Sequence, residues 1–354
     1  MANNTKFGNA KMAKNNEFYT QLVDIENELS HYTRFFKEKT VFCNCDDPYE
    51  SNFFYYFATR FNELGLKKLI ATCYDGSPIA YTQMSFFGEE KSVANKNRHP
   101  YKIEITEVLD CNNDGAVDIA DVNYLLKNKK NSMSLLKEDG DFRSKECIDL
   151  LNQSDIVVTN PPYSLFKEFV PLLVSHNKKF IIMGPMNASH YKEIFPLIRD
   201  NKMWAGYGFN KTMTFRVPDH YEGYIENGIK YGKVPAICWY TNLEIDKRNE
   251  DLLLYKNYNA DEYPSYVNFD GIDINKVSEI PMDFYGMMGV PDSFLDKYNP
   301  NQFEIIGLGC GDMAKEIGVT KNYRGRTDIS FLDRNGSPKC PYSRIIIRRK
   351  TNEN

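Results

Sequence analysis

Four consecutive residues, Asn160, Pro161, Pro162 and Tyr163, have the types and order needed to act on an aromatic amine. An amino group on a heteroaromatic ring is a poor nucleophile because its lone pair is delocalised into the ring. Hydrogen-bond acceptors aimed at its two hydrogens draw that pair out. The Asn160 side-chain carbonyl and the Pro161 backbone carbonyl could each accept one such hydrogen, favouring the tetrahedral nitrogen of a transition state over the planar ground state. Successive prolines fix the backbone that carries these acceptors. Tyr163 could stack on the face of a base rotated out of a duplex, since an atom inside the stack cannot meet a second reactant. On adenine the nitrogen is N6, and a methyl donor would approach from the other side. The plainer use of the same string is a strand-terminating turn, because proline pairs mark turns. An aromatic placed directly after the prolines, behind a buried apolar run, favours the chemical use.

That run is DIVVT (155–159), which reads as a strand, with SLFKEFVPLLVSHN (164–177) as a helix and KKFIIMGP (178–185) as the next strand. Upstream, TVFCNCDDP (40–48) is a strand stopped by two aspartates and a proline, and SNFFYYFATRFNELG (51–65) a helix ended by Gly65. KKLIATCYDG (67–76) is a further strand ending in an acid and a glycine. Strands alternating with helices imply an α/β protein around a largely parallel sheet, which binds ligands at the carboxyl ends of its strands. Past about residue 200 the texture turns to short Gly, Tyr and Pro-rich strands such as KVPAICWYTNLE (233–244) and SRIIIRRK (343–350), so a second region is expected there.

Composition narrows the classes. The 354 residues fit one large domain or two moderate ones at ~150 residues each. No run approaches the ~20 apolar residues that cross a bilayer, and the polar start MANNTKFGNAKMAKNNEFYT reads as an arm rather than a signal or anchor. A cytoplasmic protein without membrane attachment is expected. Eight cysteines without a CxxC pair read as reduced thiols, and Cys43 and Cys45 lack the partners of a zinc site. A net charge of -4 gives no global attraction to nucleic acid, so any such surface must be local.

With these motifs in place the chain resembles the EcoRI-type adenine-specific modification methyltransferases, within the wider amino-methyltransferases marked by Asn-Pro-Pro-Tyr or Asn-Pro-Pro-Phe. The likeness runs from NNEFYTQLVDIENELSHY near residue 15 through CDDPYESNFFYYF, EDGDFRS and the NPPY motif to the basic C-terminal strand. It implies a Rossmann-like, S-adenosylmethionine-dependent methyltransferase sheet over 1–200, a smaller target-recognition region over 201–354, and site-specific methylation of adenine N6 in double-stranded DNA. A restriction endonuclease partner would not be required for activity. The resemblance also implies that Asp46 and Asp47 face the donor, that Asp75 meets its ribose, and that Asp141 and Phe142 hold its adenine. Tyr19 and Thr20 lie where related enzymes fold a segment over the donor's carboxylate. The first loop departs from Gly-x-Gly and shows Cys-Asn-Cys-Asp-Asp instead. Asp46 or Asp47 could equally cap the following helix, and Tyr19 and Thr20 could staple the amphipathic stretch at 22–36.

DCNNDGAVDIAD (110–121) matches a calcium-loop template, with Asp110, Asn112, Asp114, Gly115 and Asp118 at positions 1, 3, 5, 6 and 9 and Asp121 at position 12. It reads as an EF-hand-like insertion over 100–135, holding Ca²⁺ or Mg²⁺ or else forming an Asx-rich turn without metal. Candidate phosphate contacts are Arg344, Arg348, Arg349 and Lys350, with KNYRGR (321–326) as a second basic run; an ordinary edge strand would look similar. Four functions compete. Cytosine-N4 enzymes more often carry Ser or Asp at the place of Asn160, and the protein-glutamine enzymes of the same motif, which with RNA-modifying relatives form the third alternative, usually keep a glycine-rich first loop. A dockerin-like calcium-binding interaction module would account for only a small fraction of the chain. Adenine-N6 methylation leads.

Overall fold

The computed structural model describes residues 19–46, 48, 51–73, 100–128, 133–217, 222–234 and 236–351. They fall into two compact units: 1–185 with 211–243, and 186–210 with 244–354. The sequence-expected boundary at 200 therefore lies inside a stretch that groups with the C-terminal half, while 211–243 groups with the N-terminal half. Among the described residues no helix is long and apolar enough to cross a membrane. All eight cysteines are free thiols.

In the first unit the chain runs β1 (Tyr19–Thr20), α1 (Leu22–Leu29), β2 (Thr40–Cys43), α2 (Asn52–Thr59), β3 (Lys68–Thr72), β4 (Tyr101–Ile105), α3 (Ile119–Asn128) and β5 (Met133–Leu135). It continues through α4 (Lys145–Gln153), β6 (Ile156–Thr159), α5 (Phe166–Ser175), β7 (Lys179–Pro185), β8 (Met213–Arg216), β9 (Tyr224–Glu226), β10 (Ile229–Val234) and β11 (Ile237–Thr241). Seven of these strands lie in the order β5-β4-β3-β2-β6-β7-β11. The central four are parallel, with Val41 opposite Ile156 and Leu69, and Val157 opposite Phe180. β4, β5 and β11 add antiparallel edges. Parts of the expected insertion at 100–135 thus extend the sheet, because Tyr101, Ile103 and Ile105 alternate inward along β4.

Continuous burial marks the parallel core. Every residue of β2 and β6 is buried, which is why they read as unbroken apolar runs. α2 begins at Ser51, whose hydroxyl accepts from Phe53 N at 3.1 Å, and it buries Phe53, Phe54, Tyr56 and Phe57. Phe53 meets Trp239 of β11 edge-on at 5.7 Å. α5 packs Phe166 over Gly184 of β7, where a Cβ would run into the ring. A separate antiparallel sheet, β1-β8-β10-β9, turns at Asn227 and Gly228, both at positive φ as a two-residue hairpin requires.

The second unit is built on β12 (Ile272–Asp273), β13 (Met288–Val290), β14 (Phe303–Leu308) and β15 (Ile345–Arg349), in the order β12-β13-β15-β14. β15 is its middle: Ile345, Ile346 and Ile347 are fully buried and pair with both neighbours. Gly184→Ala should lower stability by about 1–3 kcal/mol through overpacking against Phe166, read as a reduced urea midpoint at unchanged slope.

Candidate active site

The strand order reverses between β2 and β6. The chain leaves β2 for β3 on one side and returns to β6 on the other, which is the position where open α/β sheets bind ligands at the carboxyl ends of their strands. Asp46 follows β2 and is buried at 7% exposure. Its carboxylate accepts from Thr159 Oγ1 at 2.5 Å and from Ser51 Oγ at 2.8 Å. Thr159 is the last residue of β6 and Ser51 caps α2, so one carboxylate joins strand β6, the first loop and the start of α2. Sequence had left Asp46 between donor contact and helix cap. The cap is made by Ser51, and Asp46 supports it from behind. Asp47 and Asp75 lie outside the described residues.

β6 delivers Asn160 half-buried and Pro161 buried, with Pro162 exposed. Tyr163 is half-buried and begins a short 3₁₀ turn that leads into α5. Its hydroxyl oxygen is buried and meets hydrogen-bond geometry with no described residue. The Asn160 amide and the Cys238 thiol are its polar neighbours, and burial, then Cys238, push the phenol well above its ordinary range. Cys238 is itself occupied, donating to Gly184 O at 3.5 Å. Tyr163 therefore stays protonated, and what exposure it has belongs to the rest of the residue.

The N-terminal strand closes one side of this region. Thr20 is buried, donates from Oγ1 to Met183 Sδ at 3.2 Å, and its carbonyl accepts from Asn52 Nδ2 at 2.7 Å. Tyr19 is placed in β1 opposite Arg216. Asn52, Ser51 and Thr159 were not singled out from sequence. Only Ser51 carried a signal there, as a hydroxyl in front of an apolar helix.

Asp141 is taken by Arg143, which donates Nε to Oδ1 at 2.8 Å and Nη2 to Oδ2 at 2.7 Å and reaches Glu168 of α5 at 2.7 Å. These bonds hold the Asp141 carboxyl below the usual aspartate range. Phe142 is buried, edge-on to Phe169 at 5.1 Å. A donor contact through Asp141 would have to compete with this bidentate pair.

The calcium-like loop uses its carboxylates differently from the template. Asp110 accepts from Asp114 N and Gly115 N, Asp114 from Ala116 N, and Asp118 from Ala120 N. Asp118 and Asp121 cap α3 reciprocally, Asp118 Oδ1 accepting from Asp121 N at 3.3 Å and Asp121 Oδ2 from Asp118 N at 3.0 Å. Asn112 Oδ1 accepts from Asp114 N at 3.0 Å. Among the described residues no group of three or more His, Cys, Asp or Glu is placed to hold a metal ion. The loop's carboxylates and Asn112 make Asx-type bonds to backbone N–H groups.

In the second unit, Arg344 is 7% exposed and pairs with Asp273, Nε to Oδ1 at 3.0 Å, while Tyr266 donates to the same oxygen at 2.8 Å. The phosphate contact expected of Arg344 gives way to this buried ion pair. Arg348 is exposed and bound to Glu304 at 2.7 Å, Arg349 lies over the Tyr285 ring at 5.1 Å, and Lys350 is exposed. In the 321–326 run, Arg324 rests over Tyr323.

The model of the family described as adenine-specific methyltransferase EcoRI matches residues 6–350. Over 358 residues the chain is 42% identical to the type II methyltransferase M.EcoRI of Escherichia coli, covering 99% of this chain and 98% of that protein. It is 38% identical over 355 residues to the type II methyltransferase M.MgeORF184P of Mycoplasma genitalium, covering 97% and 98%. The type II methyltransferase M.MpnI of Mycoplasma pneumoniae is 36% identical over 356 residues. No solved structure matches the chain. The class is thus that of the type II methyltransferases. Within it, the chain belongs to the EcoRI family.

Thr159→Val keeps the shape but removes one donor from the buried Asp46 carboxylate, and should cost about 1–3 kcal/mol in urea unfolding. The Asp141 pair should show in acid. A carboxyl held low in the folded state stabilises above its unfolded pKa and loses that contribution as pH falls through the folded value, so Asp141→Asn should flatten the acid limb of the stability profile. EDTA should leave methyl transfer unchanged, because the 110–121 carboxylates already serve backbone N–H groups; loss of activity restored by calcium alone would make that loop functional.

Proposed function

We propose that this chain transfers a methyl group from S-adenosylmethionine to N6 of an adenine rotated out of double-stranded DNA at a specific sequence. The observation that carries the reading is the position of Asn160–Tyr163 at the carboxyl end of β6, beside the reversal of strand order. Membership of the EcoRI family and relatives named type II methyltransferases support it. Asparagine at 160, rather than Ser or Asp, favours adenine over cytosine. A cytoplasmic location fits this substrate, and no restriction partner is needed for the reaction.

The residues at the carboxyl ends of β2 and β6 suit a cationic donor. The Asp46 carboxylate is buried there among the hydroxyls of Thr159 and Ser51, and Thr20 and Asn52 join β1 to the start of α2. Acceptors in a low-dielectric setting favour positive charge. When bound, S-adenosylmethionine supplies an electrophilic methyl group on a sulfonium centre. Thr20, Asp46 and Phe142 would border it, with Tyr19, Asp47, Asp75 and Asp141 assigned by resemblance.

The chain's own residues supply the rest. The Asn160 side-chain oxygen and the Pro161 carbonyl accept the two N6 hydrogens, concentrating the lone pair on nitrogen as the transition state forms. Both acceptors sit on a backbone fixed by Pro161 and Pro162, so little reorganisation is required. Tyr163 cannot serve as a base, because its buried phenol stays neutral. Its role is to present a face to the base while its hydroxyl end is held inside.

Expression in a host free of adenine methylation, followed by sequencing of its DNA for modified adenines, should reveal methylation at one short motif. Asn160→Ala should reduce transfer about a hundredfold or more while calorimetric binding of S-adenosylmethionine persists. Transfer near the wild-type rate would refute the assignment.

A further inference from the structure

The second unit holds a cavity of about 410 Å³ that the methylation site does not use. Its lining includes Tyr258, Phe269, Asp270, Phe284, Tyr285 and Arg348. Tyr258, Phe269 and Phe284 are half-buried and Tyr285 is 46% exposed, so aromatic surface is presented without being covered. The rings are held rather than loose. Tyr258 and Phe284 pack at 4.6 Å between centroids. A Cβ at Gly286 would stand 2.6 Å from Phe284, and one at Gly271 would stand 3.1 Å from Phe269 and 2.9 Å from Met287 O, so both rings lie against bare backbone. Behind them, Tyr266 N donates to Gly271 O at 2.9 Å and Ile272 N to Met287 O at 3.0 Å, which ties the two wall loops together.

Cations border the aromatic surface. Arg348 lines the cavity and forms an exposed pair with Glu304, a kind of bond worth little and readily exchanged. Arg349 lies over Tyr285, and its Nη1 is buried without a hydrogen-bond partner among the described residues. Lys350 follows, exposed. Rigid aromatic faces beside arginine are the means by which proteins grip unstacked bases: stacking is tolerant of sequence, and the cation answers the adjoining phosphate. Asp270, exposed on the same wall, offers an acceptor to an exocyclic amine.

We propose that this cavity receives a second unstacked nucleobase of the DNA, distinct from the adenine that is methylated. The proposal rests on the DNA substrate argued above, since rotating one base out leaves its partner unpaired and cheap to unstack. The occupant is a planar base stacked on Tyr285 and Phe269, with Arg348 turned from Glu304 to its phosphate.

The test uses the full chain and a fluorescent duplex carrying the methylated motif. Tyr285→Ala and Phe269→Ala should each weaken duplex binding about tenfold, with binding of S-adenosylmethionine retained in both and the thermal midpoint retained in Tyr285→Ala, whose ring is exposed. Tyr285→Trp should restore the affinity. On a set of duplexes with one abasic position each, the Tyr285→Ala loss should vanish at a single position other than the target adenine. Unaltered affinity of both alanine variants overturns the proposal, as does a loss that persists on every abasic duplex. Absence of adenine methylation by the wild type would instead overturn the parent reading, and binding of the variants to a duplex of random sequence would still be measured independently of it.

Discussion

One buried carboxylate holds the reactive end of the first unit together. Asp46 sits where two parallel strands part, and its oxygens are satisfied by a hydroxyl from each flank, Thr159 on β6 and Ser51 at the head of α2. In a low-dielectric interior such bonds are strong, and leaving one unmade is costly. The residue after Thr159 is Asn160 and the residue after Ser51 is Asn52, which binds the carbonyl of Thr20. Three segments distant in sequence are thereby fixed relative to one another by a single relay. The position of Asn160 at the end of β6 follows from it.

Packing beneath the relay supplies the rigidity that hydrogen bonds alone would not. α2 drives Phe53 against Trp239, and α5 lays Phe166 on the side-chain-free backbone of Gly184 and tilts it against Tyr240 at 5.6 Å. Because α5 starts three residues after Tyr163, the burial of Phe166 also sets the turn that carries Tyr163. Catalysis by positioned acceptors needs this kind of support, since loss of ångström-scale alignment erodes the gain from preorganisation. The same packing buries the phenol oxygen and denies it a role in proton transfer.

Much of this was legible in the residue order. The strand before Asn160, the strand before Asp46 and the aromatic helix after it follow from apolar runs stopped by Pro and Asp. The use of Asp46 was not legible, because two adjacent acids look alike and the deciding partner, Thr159, is 113 residues away. Arg344 failed for a similar reason: alternation in the terminal strand suggested an exposed cation, but Asp273 lies 71 residues upstream and takes it into the interior. The division into units was hidden because 237–241 reads as a short apolar strand, and nothing in such a strand names the sheet it will join; it pairs antiparallel with β7. The calcium template did predict local geometry, since Asn113 and Gly115 adopt positive φ of 59° and 90°. The carboxylates of the same loop accept from neighbouring backbone N–H groups, a local bond that the Asx-rich composition itself favours.

Charge bears on how far the proposed aromatic contacts of the second unit would contribute. With a net charge of -4, the chain has to gather cations locally to approach a polyanion. Of the four C-terminal candidates, Arg344 is committed to Asp273, Arg348 is shared with Glu304, and Arg349 is stacked on Tyr285, leaving Lys350 as the most plainly exposed. Each phosphate neutralised contributes to affinity through released counterions, so these four residues draw on that source unequally. Stacking and base-edge contacts do not depend on counterion release. If the cavity of the second unit receives a base as proposed, rings fixed by packing such as Tyr258 and Phe284 would add an aromatic share to affinity that varies little with salt beside the share that its cations supply.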